Sequence, residues 1–499
     1  DSQGAITTET RYDALGRVEM TSNPYRAGDT VLWSKPRYDD LGRAVESYAP
    51  AEYGLTGASL GITSFDISTV TGFVGTVVTS TDASGRKSRS TFYKYDQYGK
   101  MVRVQQGVQN RYFQYDSLGR LLRVRQPEQT VNSNLPATPG VEGNSHWTAG
   151  FIYDQFGNVK RSTDAEGVNI VYEYDKANRP TKRCYTKPNI TTTATECSQL
   201  SASQLSDTTP TVENYYDGYG LGVTPPTTNN YAKGKLTKVT SSVSETRYTQ
   251  FDEFGRLKEM EQRTPFAGET VAQATPRVSK FAYDFGGKLI EEIYPSGRVI
   301  KHQYESDRDL MKVSSQANLN AVEKVYVSNL SYTASGGIER MKLGNGRWET
   351  TKFNNRLQIT EFGLGNGSND TSLWKVNFEY GELENGTVTT TKNTGNIAKL
   401  TLNFTGLTNP IVQSYKYDSL YRLTEAKETS NNNQNWIQNF SYDRYGNRIA
   451  FLQNINGLIN NQTPTVDANT NRFVLGQGIS YDKNGNVVSA NDPQTSQTR

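Results

Sequence analysis

Apolar and polar positions alternate with a period of two through much of the chain, and the apolar members are mostly rings. Ring pairs two residues apart recur at Phe113 and Tyr115, Phe151 and Tyr153, Tyr172 and Tyr174, Phe281 and Tyr283, Tyr415 and Tyr417, and Phe440 and Tyr442. Side chains two apart on a strand share one face of a sheet, so each segment is a strand presenting two rings on one side. The alternation resumes beyond the next turn, as in Lys235-Leu236-Thr237-Lys238-Val239. Short strands separated by turn signals roughly every 8–12 residues predict an all-β chain.

One motif marks the turns: aromatic-Asp-x-x-Gly, usually followed by Arg, Lys or Asn. Strict copies begin at Tyr12, Tyr38, Tyr95, Tyr115, Tyr153, Tyr216, Phe251, Tyr283, Tyr442 and Tyr481, and relaxed ones at Tyr174, Tyr304 and Tyr417. Asp with Gly three residues later is the signature of a type I turn. The carboxylate accepts a backbone N–H two residues on, and Gly takes the left-handed conformation of a G1 bulge. That role falls to Asp13 and Gly16, Asp39 and Gly42, Asp96 and Gly99, Asp116 and Gly119, Asp154 and Gly157, Asp252 and Gly255, Asp443 and Gly446, and Asp482 and Gly485. A second, Gly-centred turn lies between successive motifs, at 82–85, 164–167, 295–297 and 343–346. One repeat is thus two strands and two turns in about twenty residues; Tyr95 to Tyr115 is 20, and Tyr153 to Tyr174 is 21. Consecutive hairpins of this kind make a long, narrow, twisted antiparallel sheet.

Composition agrees with thin sheets. Only 34% of the residues are hydrophobic while 11% are aromatic, and 31 tyrosines outnumber 18 phenylalanines. Rings carrying a hydroxyl suit a sheet with a wet face better than a thick aliphatic core. A net charge of +3 over 499 residues creates no general basic field, which argues against nucleic acid as a partner. No apolar run is long enough for a transmembrane helix. The opening DSQGAITTET has neither a charged nor an apolar signal region, and a start at Asp1 is expected of a processed or excised chain.

Little in the sequence suggests chemistry. The two histidines, His146 in a loop beside Trp147 and His302 in an alternating strand, read as packing residues. The two cysteines, Cys184 and Cys197, have no zinc-ligand spacing. They either close one local loop as a disulfide or stay two small thiols. The glycines recur inside hairpin turns rather than before helices, so no nucleotide-binding fingerprint appears. Stacked turns could align Asp13, Asp39, Asp96, Asp116 and Asp154 as a calcium ladder, but each has work in its own turn, and Arg17, Arg43, Arg120 and Arg256 would neutralise the same rim. No catalytic residue, metal or cofactor is expected, and the chain reads as no enzyme.

The segments YDALGRV at 12, YDSLGRL at 115, YDQFGNV at 153 and YDRYGNR at 442 resemble the YD repeats of RHS proteins, from Tyr12 to about Val487. That family includes shell subunits of bacterial insecticidal toxin complexes, polymorphic Rhs effectors and the barrels of teneurins. The resemblance implies a strip spiralling into a hollow shell or barrel, secreted or on the cell surface, that encloses or displays a polypeptide cargo or neighbouring segments of a larger RHS protein. The other function it implies is an adhesion module binding carbohydrate or a cell-surface protein through aromatic and loop surfaces. The self-cleaving core of toxin-linked members is expected to carry a DPxG-type signature. Here Asp492-Pro493 is followed by Gln-Thr, so neither that core nor a toxin domain is expected within 1–499. Residues 1–499 read as one continuous array interrupted by loops near 50–80, 127–147, 184–211, 221–232, 361–371, 425–436 and 455–472.

Overall fold

The computed structural model describes residues 5–50, 65–74, 77–82, 91–95, 99–106, 108–138, 147–219, 231–306, 309–418, 420–443, 445–474 and 477–490. Asp96, His146, the 82–85 turn beyond Asp82, most of 221–232 and Asp492-Pro493 lie outside them. The all-β reading is borne out: among the described residues the only helical pieces are single 3-10 turns at Cys197–Gln199 and Thr390–Lys392.

The chain groups into two compact units. The first comprises Asp1–Phe92, Lys301–Gln316 and Val322–Thr465, and the second Tyr93–Ile300, Ala317–Ala321 and Val466–Arg499. Within each, strands of the main sheet pair antiparallel with their neighbours in sequence, apart from three isolated two-stranded hairpins among the described residues. In the second unit this meander runs through hairpins such as Ala149–Tyr153 with Val159–Thr163, Asn169–Tyr174 with Pro180–Tyr185, and Glu245–Phe251 with Leu257–Arg263. In the first it runs through Trp33–Tyr38 with Ala44–Pro50, and later through Trp348–Phe353, Ile359–Gly365, Trp374–Tyr380 and Ile397–Phe404.

Register shifts by one residue at the motif aromatic: Ile152 faces Arg161, but Tyr153 faces Val159. The same shift recurs at Tyr174, Tyr216, Tyr283, Phe353, Tyr417 and Tyr442. This is the G1 bulge, which needs positive φ at the fourth turn position. Gly16, Gly42, Gly99, Gly119, Gly157, Gly255, Gly446 and Gly485 have φ between 75° and 94°. Where glycine is missing, Asn178, Leu357 and Tyr421 adopt φ of 60–61° in its place. The bulge geometry therefore outlasts the residue that fits it best.

Four segments expected to be loops differ from that expectation, and the first is 50–80, where Phe65–Val74 pairs antiparallel with Val77–Asp82. Residues 361–365 continue strand Ile359–Gly365, and the chain turns away only at 366–371. The Asn-rich 425–436 is a hairpin, Leu423–Ser430 with Asn433–Tyr442, turned at Asn431 and Asn432 with φ of 48° and 61°. The 455–472 stretch contains strand Leu458–Gln462 and the short pair Val466–Asp467 with Arg472–Phe473. Their polar composition reads as loop, but pairing to an already formed edge satisfies the backbone whatever the side chains.

Burial is shallow. Most strand positions on both faces are half-exposed, as in Val212–Tyr216 and Leu289–Ile293. The main cluster of buried apolar side chains among the described residues is local: Val171, Cys184, Ala194, Cys197 and Leu200. Each unit is therefore a sheet held mainly by neighbour contacts rather than by a two-layer core.

Gly157 isolates the backbone requirement, because a Cβ there meets nothing within 4 Å while φ is +89°. Gly157→Ala is expected to lower stability by about 1–2 kcal/mol through backbone strain alone. Gly367→Ala, at ordinary φ and with only the Asp370 Cβ nearby at 3.9 Å, is expected to change it little. A shift of less than about 0.5 kcal/mol is usual for such a surface site. Calorimetric melting of the two variants separates these outcomes; equal shifts would contradict the bulge argument.

Candidate interaction surface

Each turn is closed by its aspartate. Asp116 Oδ1 accepts the N–H of Leu118 at 3.0 Å and of Arg120 at 2.9 Å, while Oδ2 accepts Arg120 Nε at 2.7 Å. Asp13 and Asp39 hold Arg17 and Arg43 in the same way. Asp154, Asp443 and Asp482 use the side-chain amides of Asn158, Asn447 and Asn486 instead. Asp252 repeats the arginine form with Arg256. The carboxylates of Asp13, Asp39 and Asp116 are held below the usual range, first by the backbone N–H of the residue four on and then by its guanidinium. At Asp175, Asp252 and Asp418 burial opposes this shift and the same hydrogen bonds outweigh it.

The arginine also reaches forward. Arg120 lies over the ring of Tyr153 in the next hairpin, 4.9 Å from its centroid, and donates to the Asp154 carbonyl at 3.0 Å. Arg256 treats Tyr283 and Asp284 likewise, and Arg422 treats Tyr442 and Asp443. Arg17 covers Tyr38, and Arg179 covers Tyr216 while pairing with Asp217 at 2.8 Å. The tyrosine reaches back. Tyr153 Oη donates to the Leu121 carbonyl at 2.7 Å, just past the preceding bulge, and Tyr38, Tyr174, Tyr216, Tyr417 and Tyr442 bond the equivalent carbonyls. The motif's conspicuous residues thus form a ladder from hairpin to hairpin. The arginines, read from sequence as neutralising a rim, are bridges. The signal was present in the recurring Arg after Gly, but its target sits in the next repeat.

Period-two alternation gives the sheet two unlike faces. Residues just before the motif aromatic point away from it and form cross-strand ion pairs: Arg37 with Glu46, Lys352 with Glu361, Lys416 with Glu425. Glu46 is held at about 2 by hydrogen bonds from Arg37 and then Tyr48. The motif face carries rings. In the first unit Trp374 meets Phe362 edge-on at 5.2 Å and Phe404 at 6.4 Å, and Phe440 meets Phe451 at 5.4 Å. Phe404 remains 42% exposed.

Cys184 and Cys197 form a disulfide with Cα atoms 5.9 Å apart. It pins part of the 184–211 insertion over Val171, helped by Cys197 N–H to Glu173 Oε1 at 2.7 Å and Arg161 to the Ala194 carbonyl at 3.1 Å. His302 is half-buried in strand Val299–Tyr304, with Nδ1 enclosed and unpartnered. No group of three or more His, Cys, Asp or Glu among the described residues is placed to hold a metal ion. Among the same residues no helix is long and apolar enough to cross a membrane.

The RHS Repeat family model matches residues 153–186, which is the hairpin pair joined by the Tyr174–Val159 and Asn158–Asn178 hydrogen bonds. Residues 153–186 are thus similar to an RHS repeat. None of the curated proteins matches the sequence. Among solved structures, a Photorhabdus luminescens Tc holotoxin pore carrying the TccC3 D651A mutation matches over 97% of this chain and 25% of its own, at 15% identity and a TM-score of 0.69. The TcdB2-TccC3 complex matches over 99% of this chain and 27% of its own, at 14% identity and TM-score 0.68. A TcdB2-TccC3-TEV structure matches over 94% and 24%, at 15% and 0.67. This chain spans about a quarter of the length of these chains, and at such identity the likeness is one of fold.

A double-mutant cycle probes a single joint of the ladder. Arg120→Met and Tyr153→Leu are expected to couple by about 0.5–1 kcal/mol, the usual size of a cation–π contact. Additive effects in thermal unfolding would dissolve the ladder. Asp13, Asp39, Asp116, Asp154, Asp175, Asp252, Asp418 and Asp482 are held below their unfolded value of about 3.9, so their stabilisation is complete above that pH and is lost as pH falls through the folded values. The melting temperature is expected to be flat near neutrality and to fall below about pH 4. An Asp116→Asn variant should show a shallower acid-side fall, and an identical profile would contradict the assignment.

Proposed function

We propose that this RHS chain is wall: a structural stretch that encloses or displays a polypeptide, without chemistry of its own. The observation that carries the reading is the half-exposed aromatic face of a single-layer sheet, backed by a face whose charges are already paired. Rings spaced along a sheet offer many weak, sequence-tolerant contacts, as an extended or unfolded chain needs. Paired charges on the other face give up less to a partner, since their fields largely cancel. The fold neighbours include a TcdB2-TccC3 pair and a holotoxin pore, which is the setting expected of such a wall. The disulfide fits an oxidising, extracellular location.

The test is binding of a permanently unfolded, reduced and alkylated polypeptide by fluorescence anisotropy. Phe404→Glu with Phe451→Glu is expected to weaken binding by about tenfold or more, since two charges replace two rings on the contact face. Lys352→Gln with Glu361→Gln, on the other face, should leave it within about twofold. Equal binding by both variants would sink the reading. The same protein is expected to show no turnover of peptide, ester or glycan panels that His302→Ala abolishes.

A further inference from the structure

The sheet face opposite the rings carries charges paired across strands, and in the first unit Arg340 stands among them without such a partner. It lies on strand Ile338–Leu343 directly opposite Thr350, which in turn faces Gly363 on Ile359–Gly365. Further along the same face Lys352 is opposite Glu361 and pairs with its Oε1 at 2.8 Å. The other oxygen of Glu361 accepts Asn377 Nδ2 at 3.3 Å and lies 3.9 Å from Lys375. Arg340 has no carboxylate within ion-pair reach among the described residues. Its contacts are neutral oxygens, Nε to Ser331 Oγ at 3.3 Å and Nη1 to Asn369 Oδ1 at 3.4 Å, both near the long limit of a hydrogen bond.

The turn at 366–371 folds back over this place and makes a cavity of it. Two glycines permit the approach: a Cβ on Gly363 would lie 2.5 Å from Thr371 Cγ2, and one on Gly365 2.0 Å from the Asp370 carbonyl oxygen. The cavity holds about 400 Å³, between Arg340, Thr350, Lys352 and Glu361 on the strands and Asn369 and Thr371 on the turn. Glu339 and Thr351, which complete the lining, are one residue out of step and alternate toward the ring-bearing face. Thr350 is only 7% exposed, and its Oγ1 is enclosed with no hydrogen-bond partner. A buried hydroxyl in that state has lost its water without compensation, and native interiors match nearly all such groups.

We infer that this cavity binds a small hydroxylated carboxylate, of the size and chemistry of a hexuronic acid. The uncommitted polar groups select it. Arg340 has N–H groups to spare in a planar fork that matches a carboxylate, Asn369 has its amide N–H groups, and Thr350 and Thr371 have hydroxyls. All of these donate, so the ligand is an acceptor, and the unpaired guanidinium makes it an anion. Arg340 and Thr350 are directly opposed, about 5 Å apart between Cα atoms, so one carboxylate accepts from both. A phosphate dianion is disfavoured, because its second charge would face Glu361 with no cation of its own. An amino acid is disfavoured too, because Glu361 is already held by Lys352 and leaves no free carboxylate on this face for an ammonium group. An apolar acid would set its hydrocarbon against threonine and asparagine, whereas a hydroxylated body is matched by them. The volume lies toward the small end for a small-molecule site, which suits a single monosaccharide-sized ligand.

Titration of the whole chain with sodium glucuronate, followed by saturation-transfer NMR in a carboxylate-free buffer, tests this. A Kd of about 0.1–1 mM is expected of so small a ligand. Glucose, which lacks the charge, and inorganic phosphate are each expected to bind at least about tenfold more weakly. Arg340→Gln should weaken glucuronate binding by about tenfold or more, and Thr350→Val by roughly threefold to tenfold. Lys399→Gln, on the same face but outside the cavity, should leave it within about twofold. Thr350→Val removes a hydroxyl that has no partner in the free protein, so its melting temperature is expected to match or exceed that of the wild type. Weaker binding without lost stability is what a purely structural threonine would not give. No binding at about 20 mM glucuronate, unchanged binding by both cavity variants, or equal binding of glucose would overturn the inference. So would tighter binding of N-acetyl-glutamate amide, which would make the cavity a seat for an acidic peptide side chain. The rings lie on the other face of the sheet, so capture of unfolded chain there and of glucuronate here fail independently.

Discussion

A sheet without a second layer has to be held by contacts between neighbouring hairpins, and the Arg–Tyr–carbonyl ladder is that contact. Arg120 is fixed by Asp116 in its own turn, spreads over Tyr153 of the next hairpin and donates to the carbonyl beside it. Tyr153 returns a hydrogen bond to Leu121. One such interface combines a net hydrogen bond of about 1 kcal/mol, a cation–π contact of about 0.5–1 and a charge-assisted bond of about 1.5–3. Energies of that size, repeated at the joints that carry the full set, are the nearest-neighbour terms on which a repeat array depends.

The ladder explains why tyrosine rather than phenylalanine dominates the motif. The ring is needed beneath the guanidinium, and the hydroxyl is needed to reach the carbonyl just past the bulge. Where the aromatic is Phe251, the ring is buried at 8% exposure instead, so packing substitutes for the missing hydrogen bond. Asparagine in place of arginine, as at Asn158, closes its own turn and reaches Asn178 in the next hairpin, a shorter version of the same bridge. The ladder tolerates these exchanges because each joint is separate.

Neighbour contacts also leave both faces available. Charges on one face are paired across strands at directly opposed positions, such as Lys399 with Glu379. Rings on the other are only half covered. A two-layer protein would bury one of these faces to form its core. Here the main buried apolar cluster among the described residues forms where the disulfide-pinned insertion folds back over Val171. An insertion on a thin sheet needs its own anchor, and a cross-link of 13 residues' separation supplies one without a large core.

The sequence by itself determined the local fold. Asp-x-x-Gly dictates a turn because a carboxylate two bonds from its backbone captures the nearest N–H groups, and Gly tolerates the bulge; alternating rings dictate strands with one aromatic face. These are interactions over four residues or fewer, so they are written in the spacing. What the arginines do was not legible, because their partners lie some 20 to 40 residues away, and the distance varies with the insertions between hairpins. Nor was the strand character of 361–365 and 425–436, whose polar residues become strand only because a preceding edge offers its backbone groups. The disulfide stayed open in the sequence, since two cysteines at that spacing are compatible with either state. The docking of Asp482–Gly485 onto turns more than 300 residues earlier was decided by tertiary structure alone. Contacts at that range depend on the accumulated twist of many hairpins, which no single repeat encodes.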